Sequence, residues 1–204
     1  MSARRYGWSV ADTELTTFPA RRRPTSAELA AARDKTIPDV TGPGLHVLFC
    51  GINPSLYSAA VGHHFGRPGN RFWPALYRSG FTPREFRPDE QDQLAGLGLG
   101  ITNIVARATA RADELSAEEL AAGGHLLRAK CARLRPRWLA VLGVTSYRIA
   151  FGQPHAAVGA QDVKLDGTGL WVLPNPSGLN AHWTITQLTG AFRELKESAG
   201  QMVP

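Results

Sequence analysis

Two stretches decide how this chain folds: LHVLFCGINPS, Leu45 to Ser55, and LWVLPNPSGL, Leu170 to Leu179. In each, an apolar run closes on an Asn-Pro-Ser tripeptide. Continuous apolar runs mark strands buried on both faces, as in a parallel sheet covered by helices. In an open sheet of that kind, ligands bind in the crevice outside the carboxyl ends of the strands. Both tripeptides are therefore expected to face one crevice. Two polar loops placed there can hold a small polar ring and bring a water to it.

Working outward, the first strand covers 45–50 and gives way to the GINPS turn, followed by a Gly/His-rich loop from Ser58 to Gly69. A helix is expected from Asn70 to Arg78, with Gly80 as its stop. Pro83 to Gly100 reads as a helix and a turn, and GITNIVARAT (Gly100 to Thr109) as a partly buried extended loop. Ser116 and Glu119 stand in capping-box spacing ahead of the helical body LSAEELAAGGHLLRAKCARL, and Pro136 lies beyond its end. WLAVLG is a central strand, TSYRIAFG a short helix, VKLDGTGLWVL a hairpin or strand pair around Asp166 to Gly169, and TITQLTGAFRELKES a closing amphipathic helix. Strands alternating with helices predict an α/β fold, a three-layer sandwich with a mostly parallel central sheet flanked by helices.

A chain of 204 residues, 43% hydrophobic and 20% charged, suffices for one domain with a sizeable core. Residues 1–42 read as a basic N-terminal arm, partly flexible, in which Arg4, Arg5 and Arg21 to Arg23 punctuate a segment poor in aliphatics; SAELAAARDK is at most one short helix within it. Residues 43–204 form the single folded domain. With 23 Lys+Arg against 17 Asp+Glu the surface attracts polyanions. Cys50 and Cys131 sit in apolar patterns, imply no disulfide framework and fit a reducing compartment. No apolar stretch approaches a membrane span or a signal peptide, so no membrane partner is expected and the location is read as cytoplasmic.

GINPS carries neither a Gly-x-Gly-x-x-Gly pattern nor a P-loop lysine. It offers Asn53, which has a donor and an acceptor and can orient a water without being a base; an Asn that merely satisfies turn geometry before Pro54 is the other reading. His63 and His64 lack a carboxylate or Cys at ligand spacing, so neither metal nor cofactor is expected. Phe65 can stack on a planar ligand or pack in the core. Leu179 either tucks inward or stands out as an apolar wedge on a basic surface.

Taken in order, GINPSLYSAAVGHHFGRPGNRFWPALYRSGF, GLGITNIVARAT, the helix ending before WLAVLG, and WVLPNPSGLN resemble the mismatch-specific uracil/thymine DNA glycosylase family of the uracil-DNA glycosylase superfamily, over about Pro43 to Lys196. The resemblance implies a uracil-DNA glycosylase-like fold and a monomeric, monofunctional DNA N-glycosylase. Such an enzyme flips uracil, thymine or another damaged base from double-stranded DNA, preferentially opposite guanine, and leaves an abasic site. On that resemblance Asn53 is the catalytic Asn that positions water, with Asn103 a second functional polar residue. Ile52, Ser58, His64, Phe65 and Asn175 would form the base pocket: main chain near Ile52 and Phe65 bonding the base, Phe65 stacking on it, and Ser58 beside its C5 edge. Asn175 stands where the fastest uracil glycosylases carry a His. Ser177, Gly178 and Leu179 would supply the orphan-base contact and the wedge. GHHFGRPGN looks more like the eukaryotic thymine-glycosylase branch, as does Asn103, and Ala181 stands where bacterial relatives carry an Arg; the location expected is cytoplasmic, on the nucleoid, for a bacterial protein and nuclear for a eukaryotic one.

Two other classes remain. A catalytically weak DNA-lesion binding module would use the same basic face and wedge. A nucleotide-binding or small-molecule hydrolase would need a phosphate loop or a Ser-His-acid order, and neither is visible.

Overall fold

The computed structural model describes residues 23–200. The arginines expected in the arm at positions 4, 5, 21 and 22 lie outside that range. Among the described residues, six α-helices and five strands follow in order: α1 (Ser26–Ala30), β1 (Val47–Gly51), α2 (Leu56–Val61), α3 (Phe72–Arg78), β2 (Leu99–Asn103), α4 (Ala117–Leu134), β3 (Trp138–Leu142), α5 (Val144–Phe151), β4 (Gly159–Leu165), β5 (Thr168–Leu173) and α6 (Ile185–Gly200).

The sheet runs β2-β1-β3-β5-β4, with every pairing parallel except the β4–β5 hairpin. Asp166 and Gly167 close that hairpin with φ of 48° and 91°, the doubly left-handed pair that an Asp-Gly turn supplies. Along β1 the side chains alternate between two cores, as a strand covered on both faces must do. Val47 and Phe49 pack with α3, α6 and the 3-10 segment Pro88–Leu97, whereas Leu48 and Cys50 pack with α4 and α5. The three-layer α/β reading is what the structure shows.

Two segments differ from the sequence reading. GITN is not loop but β2, whose backbone is satisfied on one side by β1 and on the other by Val40. Pro83 to Gly100 holds the 3-10 stretch Pro88–Leu97 rather than an α-helix; that stretch carries few apolar residues, and of its ten only Gln91 and Leu94 are buried. The segment assigned to the arm also takes part in the core, because Ala32, Ile37 and Val40 are all buried.

The capping box expected at α4 is present, with Ser116 accepting from Glu119 N. Further along, α4 meets the rest of the molecule through two buried glycines. A Cβ on Gly123 would stand 2.4 Å from the Ile104 carbonyl oxygen, and one on Gly124 only 2.0 Å from that of Ala150. Gly124→Ala would gain up to about 1 kcal/mol of helix propensity but must push α4 off the α5 backbone, an overpacking cost of about 1–3 kcal/mol or more. Urea unfolding should therefore show net destabilisation; a variant as stable as wild type would mean that α4 slides freely.

Candidate active site

The order β2-β1-β3 reverses direction of winding at β1, and the crevice expected at such a switch point is present. It is a cavity of about 370 Å³ over the carboxyl ends of β1, β2, β3 and β5, at the small end of ligand pockets. Ile52, Asn53, Ser58, His64, Phe65, Asn103, Asn175, Ser177 and Leu179 all line it. Gly178 stands beside it, packed so closely that an added Cβ would lie 2.6 Å from the Gly69 carbonyl.

Asn53 is held by a second loop. Ile104, Val105 and Thr109 donate backbone N–H bonds to the carbonyls of Gly51, Ile52 and Pro54, and Leu56 donates to that of Thr109. The loop so laced to GINPS offers the Arg107 carbonyl at 3.0 Å and the Thr109 hydroxyl at 2.7 Å to Asn53 Nδ2. A carbonyl can only accept, and the Thr109 hydroxyl spends its own proton on the Arg111 carbonyl at 2.7 Å. The amide orientation is thereby settled: Nδ2 is consumed, and Oδ1 accepts from no described residue. Arg107 braces this loop through a bidentate pair with Glu119, at 2.6 and 2.9 Å.

Asn103, the last residue of β2, faces the same cavity. His64 Nε2 lies 3.0 Å from the Pro38 carbonyl, which makes that nitrogen the protonated one. Its Nδ1 then accepts from Asn103 Nδ2 across a long 3.4 Å. Asn103 Oδ1 is left beside Gly51, where a Cβ would approach it to 2.5 Å. Gly51 thus keeps open the floor between Asn103 and the Phe65 ring.

Phe65 takes φ of 52°, a left-handed conformation that costs about 1–2 kcal/mol outside glycine. Its ring stacks on Phe72 at 4.1 Å, and Phe72 in turn meets Phe49 and Phe192 in the core. Such contacts, at about 0.5–1.5 kcal/mol per aromatic pair, offset that strain. The Phe65 N–H has no partner among the described residues. Beneath it, the buried Ser58 hydroxyl accepts from Ser55 Oγ and Gly66 N and so fixes the loop's course.

In the second loop Asn175 Oδ1 accepts from Ser177 N at 2.9 Å, which leaves Nδ2 as the unengaged half of an amide lining the cavity. Leu179 is 78% exposed. Of the two readings of that leucine, the inward one does not describe its position.

Sequence reasoning missed Gly51, Thr109, Arg107 and Arg71. Thr109 and Arg107 act through a hydroxyl and a carbonyl, for which a sequence carries no signal. Gly51 could have been found as the glycine heading a turn at a strand's end. Arg71 donates to four carbonyls of the 176–183 segment and had no acidic neighbour in sequence to call attention to it.

Residues 38–196 match the family described as the uracil DNA glycosylase superfamily. The span is most of the chain, which belongs to that superfamily. The fold is similar to the solution NMR structure of a candidate uracil DNA glycosylase from Methanosarcina acetivorans, with a TM-score of 0.53 and 18% identity over 80% of this chain and 98% of that one.

Burial lowers the His64 pKa from its ordinary 6.5, with Lys130 and His63 acting in the same direction and the Pro38 bond and Asp39 opposing. The folded state therefore favours neutral His64, and the unfolded chain binds the extra proton first as pH falls. The stability this contributes is fully present above 6.5 and is lost as pH drops from there through the lowered folded value. Glu90 and Glu119, whose arginine partners Arg84 and Arg107 hold them at about 2, act only below the ordinary 4.5. Melting temperature should be flat between pH 6.5 and about 9, above which the buried Cys50 and Cys131 thiols, held above their ordinary 9.0, favour the unfolded chain, and it should begin to fall just below 6.5. His64→Gln should remove that first decline, and a decline retained in the variant would assign it to another group.

Proposed function

We propose that this protein hydrolyses the N-glycosidic bond of uracil flipped out of double-stranded DNA, leaving an abasic site, and that weak pairing, as in U opposite G, favours its substrates. The observation that carries the reading is the pinned amide of Asn53. Nδ2 is held by the Arg107 carbonyl and Thr109, so Oδ1 alone is offered to the cavity, where it accepts a proton of water and turns a lone pair toward the sugar.

Breaking the bond between the sugar C1′ and the base N1 builds positive charge on the sugar and negative charge on the departing ring. Catalysis then consists of donors placed where that negative charge grows. The unpartnered Phe65 N–H and the unengaged Asn175 Nδ2 are such donors. Asn103 Oδ1, fixed by His64, accepts from a ring N–H, which uracil and thymine carry at N3 and cytosine does not. The base stacks on Phe65, backed by Phe72. No strong base is required, because an almost formed oxocarbenium ion accepts a neutral water, whose surplus proton then passes to solvent or to the departed uracil anion. Flipping costs a few kcal/mol and least at a mismatch. Leu179, exposed at the rim, fills the place vacated by the base. Thymine or other 5-substituted bases, opposite-guanine preference and a monomeric state belong to the same proposal. The second reading, a lesion-binding module without turnover, has no observation in its favour that the enzyme reading lacks.

Asn53→Ala should lower single-turnover excision of uracil from a U:G duplex by about a hundredfold or more, the scale for one preorganised polar group at a reacting centre, with DNA affinity nearly unchanged. Cleavage of the product strand in alkali reads the rate; a wild-type rate would remove Asn53 from the mechanism. Leu179→Ala should slow excision from duplex far more than from single strands, since only the duplex has a gap to fill. Equal losses would reduce Leu179 to packing.

A further inference from the structure

Beside the cavity lies a cation that the proposed chemistry does not use. Arg71 precedes α3, and its guanidinium is turned back under the loop that carries Leu179. Nη2 donates to the carbonyls of Ser177 at 2.5 Å and Asn180 at 2.8 Å, Nη1 to that of Trp183, and Nε more distantly to that of Pro176 at 3.5 Å; the Arg71 backbone N–H also donates to Pro176, at 3.0 Å. These carbonyls bracket Leu179 on both sides. No carboxylate pairs with Arg71 among the described residues, so the charge is held by main-chain dipoles alone.

We propose that Arg71 is a positioning residue for helix invasion: its planar fork holds the Pro176–Trp183 loop rigid, so that Leu179 enters the duplex as a preformed wedge. This rests on the wedge reading of Leu179 given above. An exposed apolar side chain that must part stacked bases does so only if the loop behind it does not yield. Ordering a slack loop at the moment of binding subtracts from the free energy available for unstacking. Five N–H groups in a fixed plane can satisfy several carbonyls at once, and a lysine ammonium cannot reproduce that fork. The next residue, Phe72, is the ring on which Phe65 stacks. One helix start therefore sets both the platform beneath the flipped base and the tool that expels it.

The test uses the full chain and a U:G duplex with 2-aminopurine beside the uracil, whose fluorescence rises when the stack is opened, read together with single-turnover excision. Arg71→Lys and Leu179→Ala should each diminish the fluorescence step and the duplex rate by roughly tenfold, and Arg71→Lys should add nothing in the Leu179→Ala background. Arg71→Lys that slows excision while leaving the fluorescence step at its wild-type size overturns the proposal and makes Arg71 a structural residue only, as does a loss additive with Leu179→Ala. A full step in Leu179→Ala, or none in wild type, overturns the wedge reading itself and the proposal with it. A diminished step in Leu179→Ala with a normal one in Arg71→Lys sinks the proposal alone. The lysine variant keeps a charge and a donor at this place, so the test does not require an Arg71→Ala chain to fold.

Discussion

A side-chain amide is nearly symmetric in shape and opposite in chemistry at its two ends, so a site built on amides depends on what dictates which end faces inward. Here Asn53 and Asn103 are both held by their nitrogens from behind. The anchors are groups whose roles cannot reverse: a carbonyl and an already donating hydroxyl for one, and an imidazole whose tautomer is set by the Pro38 carbonyl for the other. Two acceptor oxygens are presented without a charged residue at either position. The basicity missing from such a site is replaced by orientation, which fits the proposed reaction, in which the leaving group departs once its negative charge has donors to meet.

The anchors reach back to a segment that looked peripheral. Asp34 N bonds the Ala108 carbonyl, Ala108 N bonds that of Lys35, and Arg107 pairs with Asp34 at 3.3 Å. Pro38 supplies the carbonyl for His64, and Asp39 accepts from Thr102 at 2.7 Å beside Lys130. Residues 34–39 thus touch the supports of both amides. Their poverty in long aliphatics, which reads as an appendage, instead reflects a role carried by main-chain groups and by the carboxylates of Asp34 and Asp39.

The layers of the fold were legible because β1, β3 and β5 are apolar on both faces, and α4 announces itself by its capping box. β2 was less so: Gly100 and Thr102 dilute its pattern, and its strand character comes from pairing rather than composition. In the site, Asn53, Phe65 and Leu179 could be singled out because their side chains face the cavity. Thr109, Pro38 and Arg71 could not, since each acts on a partner 26 to 112 positions away, through contacts that exist only once the sheet has brought the loops together.

The reach of Arg71, from the start of α3 to carbonyls 105 to 112 residues later, has a consequence for how the molecule comes into being. A link of such sequence separation can close only once the chain has been made through position 183, and its loop-closure entropy is shared with the other long-range contacts of the sheet. The cavity is therefore complete only when loops far apart in sequence, from Gly51 to Leu179, stand together. An incomplete chain emerging during synthesis would already hold Asn53 and Phe65 but would lack the 176–183 loop. On the function proposed above, chain completion is in this sense a safeguard, because a partly made protein lacks the loop that carries Leu179.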